Sequence, residues 1–297
     1  MKEVGILVVT YNRIKLLQEC IESLRLQTFQ NYDIIVVNNS STDGTLEWLN
    51  TQSDIITITQ KNSGGAGGFY TGIKYIAEQG YKYCWLMDDD VVCNNNALES
   101  LLKTAYKYPE SGFFCSRVLG TNMKPMNVPS VDDRSKNNHY PDWFDKIDEG
   151  IVKVKAATFV SVLIPTSRVI EVGLPLKEYF IWGDDAEYTL RLSTKFECYL
   201  VFQSIVIHKR TIQEALDFMT ETNPIRLKNL YYMFRNTFVN VKKYGKSKDT
   251  IVTICFHLSL FLQSLIRLDF KRMHILLRVF ISYFTFSPKI NYLKPQK

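Results

Sequence analysis

The chain has 297 residues, 46% of them hydrophobic, and a formal net charge of +6. That length can bury a full core, as one large domain or one domain with a smaller appendage. Six scattered cysteines (20, 84, 93, 115, 198, 255) form no Cys-x-x-Cys pair, which excludes a disulfide frame or zinc site and suits reduced thiols in a cytoplasmic protein.

The charge is uneven. Asn223 to Lys297 holds 14 Lys and Arg against two acids, Asp249 and Asp269, whereas Met1 to Thr222 holds 22 against 28. An acidic body with a basic, apolar tail implies a tail that meets an anionic surface. Its long apolar runs favour a membrane over nucleic acid.

Val4–Thr10 is an uninterrupted, β-branched apolar run, the pattern of a parallel strand buried on both faces. It is too short for a signal peptide and lacks a small-residue cleavage site. Asn12 to Gln27 predicts an amphipathic helix, with Leu16, Leu17, Cys20, Ile21 and Leu24 on one face. Asp33–Val37 predicts a second strand, ending in the polar loop 38–44, whose Ser, Thr and Asp can cap a helix from about Thr45. Ile55–Thr59 is a third strand. Asn62-Ser63-Gly64-Gly65-Ala66-Gly67-Gly68-Phe69 follows, then a helix from about Tyr70 to Gln79. Tyr83–Met87 is a fourth strand, feeding Asp88-Asp89-Asp90, and Ala97 to Lys107 is the next helix.

From about Arg117 to Gly150 the chain is polar and turn-rich, a surface excursion able to help cover a site. The core resumes at Val152–Pro165, with a strand over Phe159–Ile164. Trp182-Gly183-Asp184-Asp185-Ala186-Glu187 opens a helix reaching about Lys195. Tyr199–His208 is the last strand. Asn223–Tyr244 is helical, aromatic and basic. Ile251–Ile266 and Met273–Phe286 are apolar segments, the first slightly short for an unbroken span of about 20 residues. They predict an interfacial helical appendage; a hairpin packed on the body or in an oligomer, and a true span, are the other readings.

Alternating strands and helices at this spacing predict an α/β fold, a Rossmann-like, mostly parallel central sheet with right-handed crossovers and a C-terminal helical appendage. Ligands of such sheets bind outside the carboxyl ends of the strands. The 10–13, 38–43, 62–68 and 88–90 stretches all lie at that edge. Three adjacent carboxylates repel one another, and a hard divalent cation, Mn²⁺ or Mg²⁺, resolves the conflict and in turn clamps phosphate oxygens. A solvated acidic turn capping the next helix is the alternative. The glycines at 64, 65, 67 and 68 let backbone approach a ligand closely and offer N–H groups at a helix start; a tight turn would use them too. Asp184, Asp185 and Glu187 either suit a helix N-terminus or supply a general base for an attacking hydroxyl. Trp182 offers a flat face to a sugar, and His208 an imidazole to a metal.

Val8-Val9-Thr10-Tyr11-Asn12-Arg13, the 36–45 run Val-Val-Asn-Asn-Ser-Ser-Thr-Asp-Gly-Thr and the Asp triplet resemble family 2 glycosyltransferases of the GT-A fold over roughly residues 1–215. The 62–69 and 182–187 motifs look most like the galactofuranosyltransferases; rhamnosyltransferase-like members share parts of both. The resemblance implies an inverting, metal-dependent enzyme using a UDP-sugar, best read as UDP-galactofuranose, on a cell-surface glycan or lipid-linked acceptor at the inner membrane face. It implies that Thr10, Asn12 and the Asn38–Asn39 loop hold uracil and ribose, although the family often has Asp in that loop. Asn62, Gly64 and Gly65 would lie along the donor. Asp88, Asp90 and His208 would ligate Mn²⁺ or Mg²⁺, and Asp89 would orient the donor sugar. Asp185 would be the base, with Asp184 on a substrate hydroxyl. The expected division is 1–215, catalytic, and 216–297, for membrane-surface or subunit contact. A sugar nucleotidyltransferase would show a Gly- and basic-rich signature near the first strand, which Thr10-Tyr11-Asn12-Arg13 is not. A non-catalytic sugar-binding protein would not need two acidic clusters and a terminal histidine.

Overall fold

The computed structural model describes residues 2–134, 140–210 and 216–293. Strand β1 (Val4–Thr10) is buried at every position. Helix α1 (Ile14–Arg25) turns Leu17, Cys20, Ile21 and Leu24 inward. Then come β2 (Tyr32–Asn38), α2 (Thr45–Leu49) and β3 (Ile55–Thr59). Helix α3 spans Gly64–Glu78, starting six residues before the expected Tyr70, so the glycines form its first turns. The reason is close packing. A Cβ on Gly68 would stand 2.4 Å from Val9 and one on Gly72 2.2 Å from Leu7, so α3 lies directly on β1.

Strand β4 (Tyr83–Asp88) leads through a turn to β5 (Val91–Cys93), then α4 (Ala97–Lys107) and β6 (Phe114–Gly120). The expected excursion therefore begins later than Arg117, the one exposed residue in an otherwise buried β6. It carries β7 (Ser130–Val131). Next are β8 (Ile151–Ala156), β9 (Val162–Pro165), α5 (Thr166–Val172), α6 (Asp184–Ser193) and β10 (Tyr199–His208). The strand expected from Phe159 starts only at Val162.

Among the described residues ten strands form one sheet in the order β3-β2-β1-β4-β9-β6-β10-β8-β7, with β5 on β10. The parallel expectation holds for β3, β2, β1 and β4. Beyond them the sheet is mixed, because β9 runs antiparallel to both β4 and β6, and β10 is parallel to β6 but antiparallel to β5 and β8. Alternating side chains feed two cores. Ile6 and Val8 pack with α1 and α4, while Leu7 and Val9 pack with α3, α5 and α6.

Helices α7 (Pro224–Tyr244), α8 (Ser247–Ile266) and α9 (Phe270–Thr285) follow β10. Asn223 caps α7, accepting from the N–H groups of Ile225 and Arg226, with Pro224 at the first helical position. The three helices share a core of Leu230, Phe234, Leu260, Leu276 and Val279. The expected division at 215/216 falls beside residues 211–215, which lie outside the described residues.

Candidate active site

A cavity of about 580 Å³ opens at the carboxyl edge of the sheet, lined by Asp88, Asp90, His208, Trp182, Asp184 and Asp185 among others. The sheet explains the first three. Asp88 ends β4, and the turn after it feeds β5, which pairs with β10 so that Val91 faces His208. One ligand atom each from Asp88, Asp90 and His208 therefore lie within 4.8 Å of one another.

The histidine's hydrogen bonds define its role. Its Nδ1 lies 2.9 Å from Asn127 Oδ1, so Nδ1 carries the proton in the neutral ring. Its Nε2 then turns a lone pair toward Asp90 Oδ1, 3.0 Å away, a buried oxygen with no hydrogen bond. Two lone pairs facing each other repel unless a proton or cation lies between them. That orphaned oxygen, with two carboxylates and an imidazole, fits a divalent cation. Burial and then Asp90, Asp89 and Asp185 push the Asp88 carboxyl well above its ordinary range. Burial acts on Asp90 too, but His208, when a proton sits on Nε2, and Arg13 hold it low.

Asp89 turns the other way. Thr10 Oγ1 donates to it at 2.7 Å, and Arg13 Nη1 stands 3.4 Å from Asp89 and 2.8 Å from Asp90. Burial raises Asp89 to about 6 against the pull of Arg13. Thr10 and Asp89 thus satisfy one another, whereas Asp88 and Asp90 face the cavity.

The asparagines divide likewise. Asn12, at φ 54°, accepts from the Thr42 N–H and gives its own N–H to Ser41, joining two loops. Asn39 donates to the Gly64 carbonyl and accepts from Gln60. Asn62 accepts from the Gly64 N–H. These three shape loops. Asn38 accepts from the Ser41 N–H, while its buried Nδ2 has no partner; the residue is fully buried and does not line the cavity. Gly64 sits at φ 74° against Phe180, and Gly65 borders the cavity with nothing within 4 Å of a Cβ.

Asp184 and Asp185 open α6 behind Gly183, which has φ 88°. Asp184 is buried, and burial with the charge of Asp185 pushes it up to about 8. Asp185 is only half-buried and accepts from the Ala186 N–H at 2.7 Å; burial raises it despite the backbone donors. Glu187, the third acid of the motif, leaves the cavity. Although burial opposes its charge, Arg191, Tyr244 and Lys243 hold it ionised. Sequence reasoning did not single out Arg13, Asn127, Arg210, Arg226 or Asn229, which also line the cavity. Arg13 ends a quoted motif and Arg210 lies two residues beyond His208; Asn127, Arg226 and Asn229 arrive through long-range folding and carry no local signal.

Fold and site together define an α/β chain of the GT-A type with an acidic, histidine-bearing cleft. Residues 5–153, half of the chain, match the family described as Glycosyl transferase family 2, and the chain belongs to that family. It is 29% identical over 194 residues to galactofuranosyltransferase GlfT1 of Mycobacterium tuberculosis, a match spanning 62% of each chain. It is 30% identical over 199 residues to glycosyltransferase GlyG of Streptococcus pneumoniae, spanning 61% of this chain and 60% of the relative. These matches thus span less than two thirds of either relative. In structure it is similar to S. aureus TarS 1-349 in complex with UDP-GlcNAc, at TM-score 0.58 and 14% identity over 97% of this chain and 74% of the other. That likeness supports the fold.

Proposed function

We propose that this protein is an inverting glycosyltransferase that moves a sugar, galactofuranose from UDP-galactofuranose as the first candidate, onto a hydroxyl of a glycan or lipid-linked acceptor. The observation that carries the reading is that one cavity holds two separate acidic sets, Asp88/Asp90/His208 and Asp184/Asp185, with Trp182 beside the second. The named relative GlfT1 supports the donor.

Asp88, Asp90 and His208 would hold Mn²⁺ or Mg²⁺, which when bound supplies positive charge to the departing diphosphate. Everything else is done by side chains and backbone. Gly65 lets the donor lie against backbone, and Trp182 gives a sugar ring an apolar face. Asp185 takes the proton of the acceptor hydroxyl as its oxygen bonds to the anomeric carbon. The bond from that carbon to the diphosphate oxygen breaks on the opposite face, inverting the centre and releasing UDP. Asp184, protonated at neutral pH, donates to a substrate oxygen.

We place the protein at the cytoplasmic membrane face. Helix α8 buries only His257, Leu260 and Ser264 and is long and apolar enough to cross a membrane. Basic residues lie in its first turn and just beyond its end, including Lys248, Arg267 and Lys271, which favours an anionic lipid surface. The test is release of the nucleoside diphosphate with Mn²⁺ or Mg²⁺, UDP from UDP-galactofuranose, UDP-galactopyranose and UDP-glucose and dTDP from dTDP-rhamnose, read beside binding of each donor. Preference for UDP-galactofuranose, lost with EDTA, is expected. Preference for dTDP-rhamnose would overturn the donor, and binding of none would overturn the site.

A further inference from the structure

Between Tyr179 and Asp184 the chain adopts a backbone that few sequences choose. Phe180, Trp182 and Gly183 have φ of 66°, 61° and 88°, and only glycine takes such values without strain. Strained backbone of this kind persists when its surroundings over-determine it.

The surroundings are one face of α7. Asn236, fully buried, points its Nδ2 at three carbonyl oxygens: Tyr179 at 3.0 Å, Ile181 at 3.2 Å and Trp182 at 2.7 Å. Asn240 donates to the Gly183 carbonyl at 2.9 Å and accepts from the Tyr179 hydroxyl at 2.8 Å. Arg235 reaches the carbonyls of Glu178 and Tyr179 and donates to Asn236 Oδ1 at 3.0 Å, fixing which end of that amide faces the loop. With these carbonyls turned toward α7, Ile181, Trp182, Asp184 and Asp185 line the cavity on the other side. The remaining carbonyl, that of Phe180, accepts from the Ala66 N–H at 3.1 Å, at the first turn of α3. One turn of α7 thus holds the acidic loop, and the loop touches the glycine-rich helix in its turn.

We propose that Asn236 and Asn240 are positioning residues for the transfer reaction. By donating to the carbonyls of Tyr179, Ile181, Trp182 and Gly183, they set Trp182, Asp184 and Asp185 against the metal-ligand side of the cavity. Helix α7 is therefore part of the catalytic unit. The role rests on the function proposed above; the clamp itself does not.

The experiment uses the full chain and two readouts. In Asn236→Ala, amide hydrogen exchange across residues 178–186 should quicken at least tenfold while the β1 and β4 amides exchange as in the wild type. Turnover, read as UDP release, should fall at least tenfold while UDP affinity stays within twofold, a split that general loss of stability would not produce. Wild-type exchange in the loop, or fast exchange with wild-type turnover, would overturn the proposal. If Asn236→Ala does not fold, Asn240→Ala, which frees only the Gly183 carbonyl and the Tyr179 hydroxyl, takes its place with the same criteria. If the wild type releases UDP from no donor, the proposed reaction and the positioning role fail together, and the exchange data still decide whether α7 holds the loop.

Discussion

A Cβ on Gly64 would stand 1.9 Å from the carbonyl oxygen of Phe180. Neither side can yield. Gly64 has φ 74°, and the Phe180 carbonyl is held by the Ala66 N–H. Gly64→Ala should therefore cost about 3 kcal/mol of folding stability through strain and overlap together. Gly65 is its control. It borders the cavity with nothing within 4 Å of a Cβ, so Gly65→Ala should gain roughly 0.5–1 kcal/mol as a helical substitution. The added methyl would occupy space where the donor is proposed to lie, and donor affinity should fall severalfold. Urea melts and donor titrations check the pair. Wild-type donor affinity in Gly65→Ala would move the donor away from α3.

The two acids of α6 are separable by their surroundings. Asp184 is buried beside Asp185 and is raised to about 8, so it is protonated at pH 7, and Asn is a fair copy of that state. Asp184→Asn should lower turnover modestly, by about tenfold or less. Asp185→Asn removes the proposed base and should lower it by roughly 10²–10⁴-fold with donor binding retained. Steady-state turnover at pH 7 with matched donor titrations makes the comparison; the reverse ranking would exchange their roles.

Metal binding can be read without turnover. Mn²⁺ titrated into the protein and followed by electron paramagnetic resonance should bind at least tenfold more weakly in Asp90→Asn and in His208→Ala. Asp89→Asn should weaken it less, because the Asp89 carboxylate faces Thr10 and Arg13. Equal losses in all three would mean that the ligand set is wrong.

Local pattern carried much of this. The buried run 4–10, the period of α1 and the triple Asp each reflect physics acting within a few residues, and the sheet edge then collects the loops. The antiparallel entry of β9 depends on how a long excursion returns, which no window of sequence records. The same holds for Asn127, 81 residues from the histidine it orients, and for Asn236 behind the Trp182 loop. Strand β6 escaped notice because Arg117 interrupts it and the chain turns polar soon after. The glycines at 64, 65, 67 and 68 suggest a ligand in the sequence, yet Gly68 is required by Val9, as Gly72 beyond them is by Leu7.

The turn between α8 and α9 should insert into lipid. Ile266, Leu268 and Phe270 are 82%, 67% and 73% exposed, with Arg267 and Lys271 between and beside them. Vesicles containing anionic lipid should carry the full chain in flotation, and neutral vesicles much less. Ile266→Glu with Phe270→Glu should cut binding at least tenfold, and 0.5 M salt should weaken it. If the protein instead ignores vesicles and dimerises with concentration, this face belongs to a second copy.

His257 gives the helical region a pH dependence. It is buried between α8 and α9, with Nδ1 on the Tyr283 hydroxyl and the Phe234 ring 4.8 Å away. Burial among these groups lowers it from 6.5 to about 4. The folded state thus prefers the neutral ring, and the unfolded chain binds the extra proton first. Its contribution is intact above pH 6.5 and is lost as pH falls from there through 4, by about 3 kcal/mol in full. His257→Gln, which keeps an acceptor for Tyr283 and cannot titrate, should show a smaller fall in urea midpoint between pH 7.5 and 4.5 than the wild type. Identical falls would mean that the ring is charged in the folded protein, and that acid acts on the buried carboxylates instead.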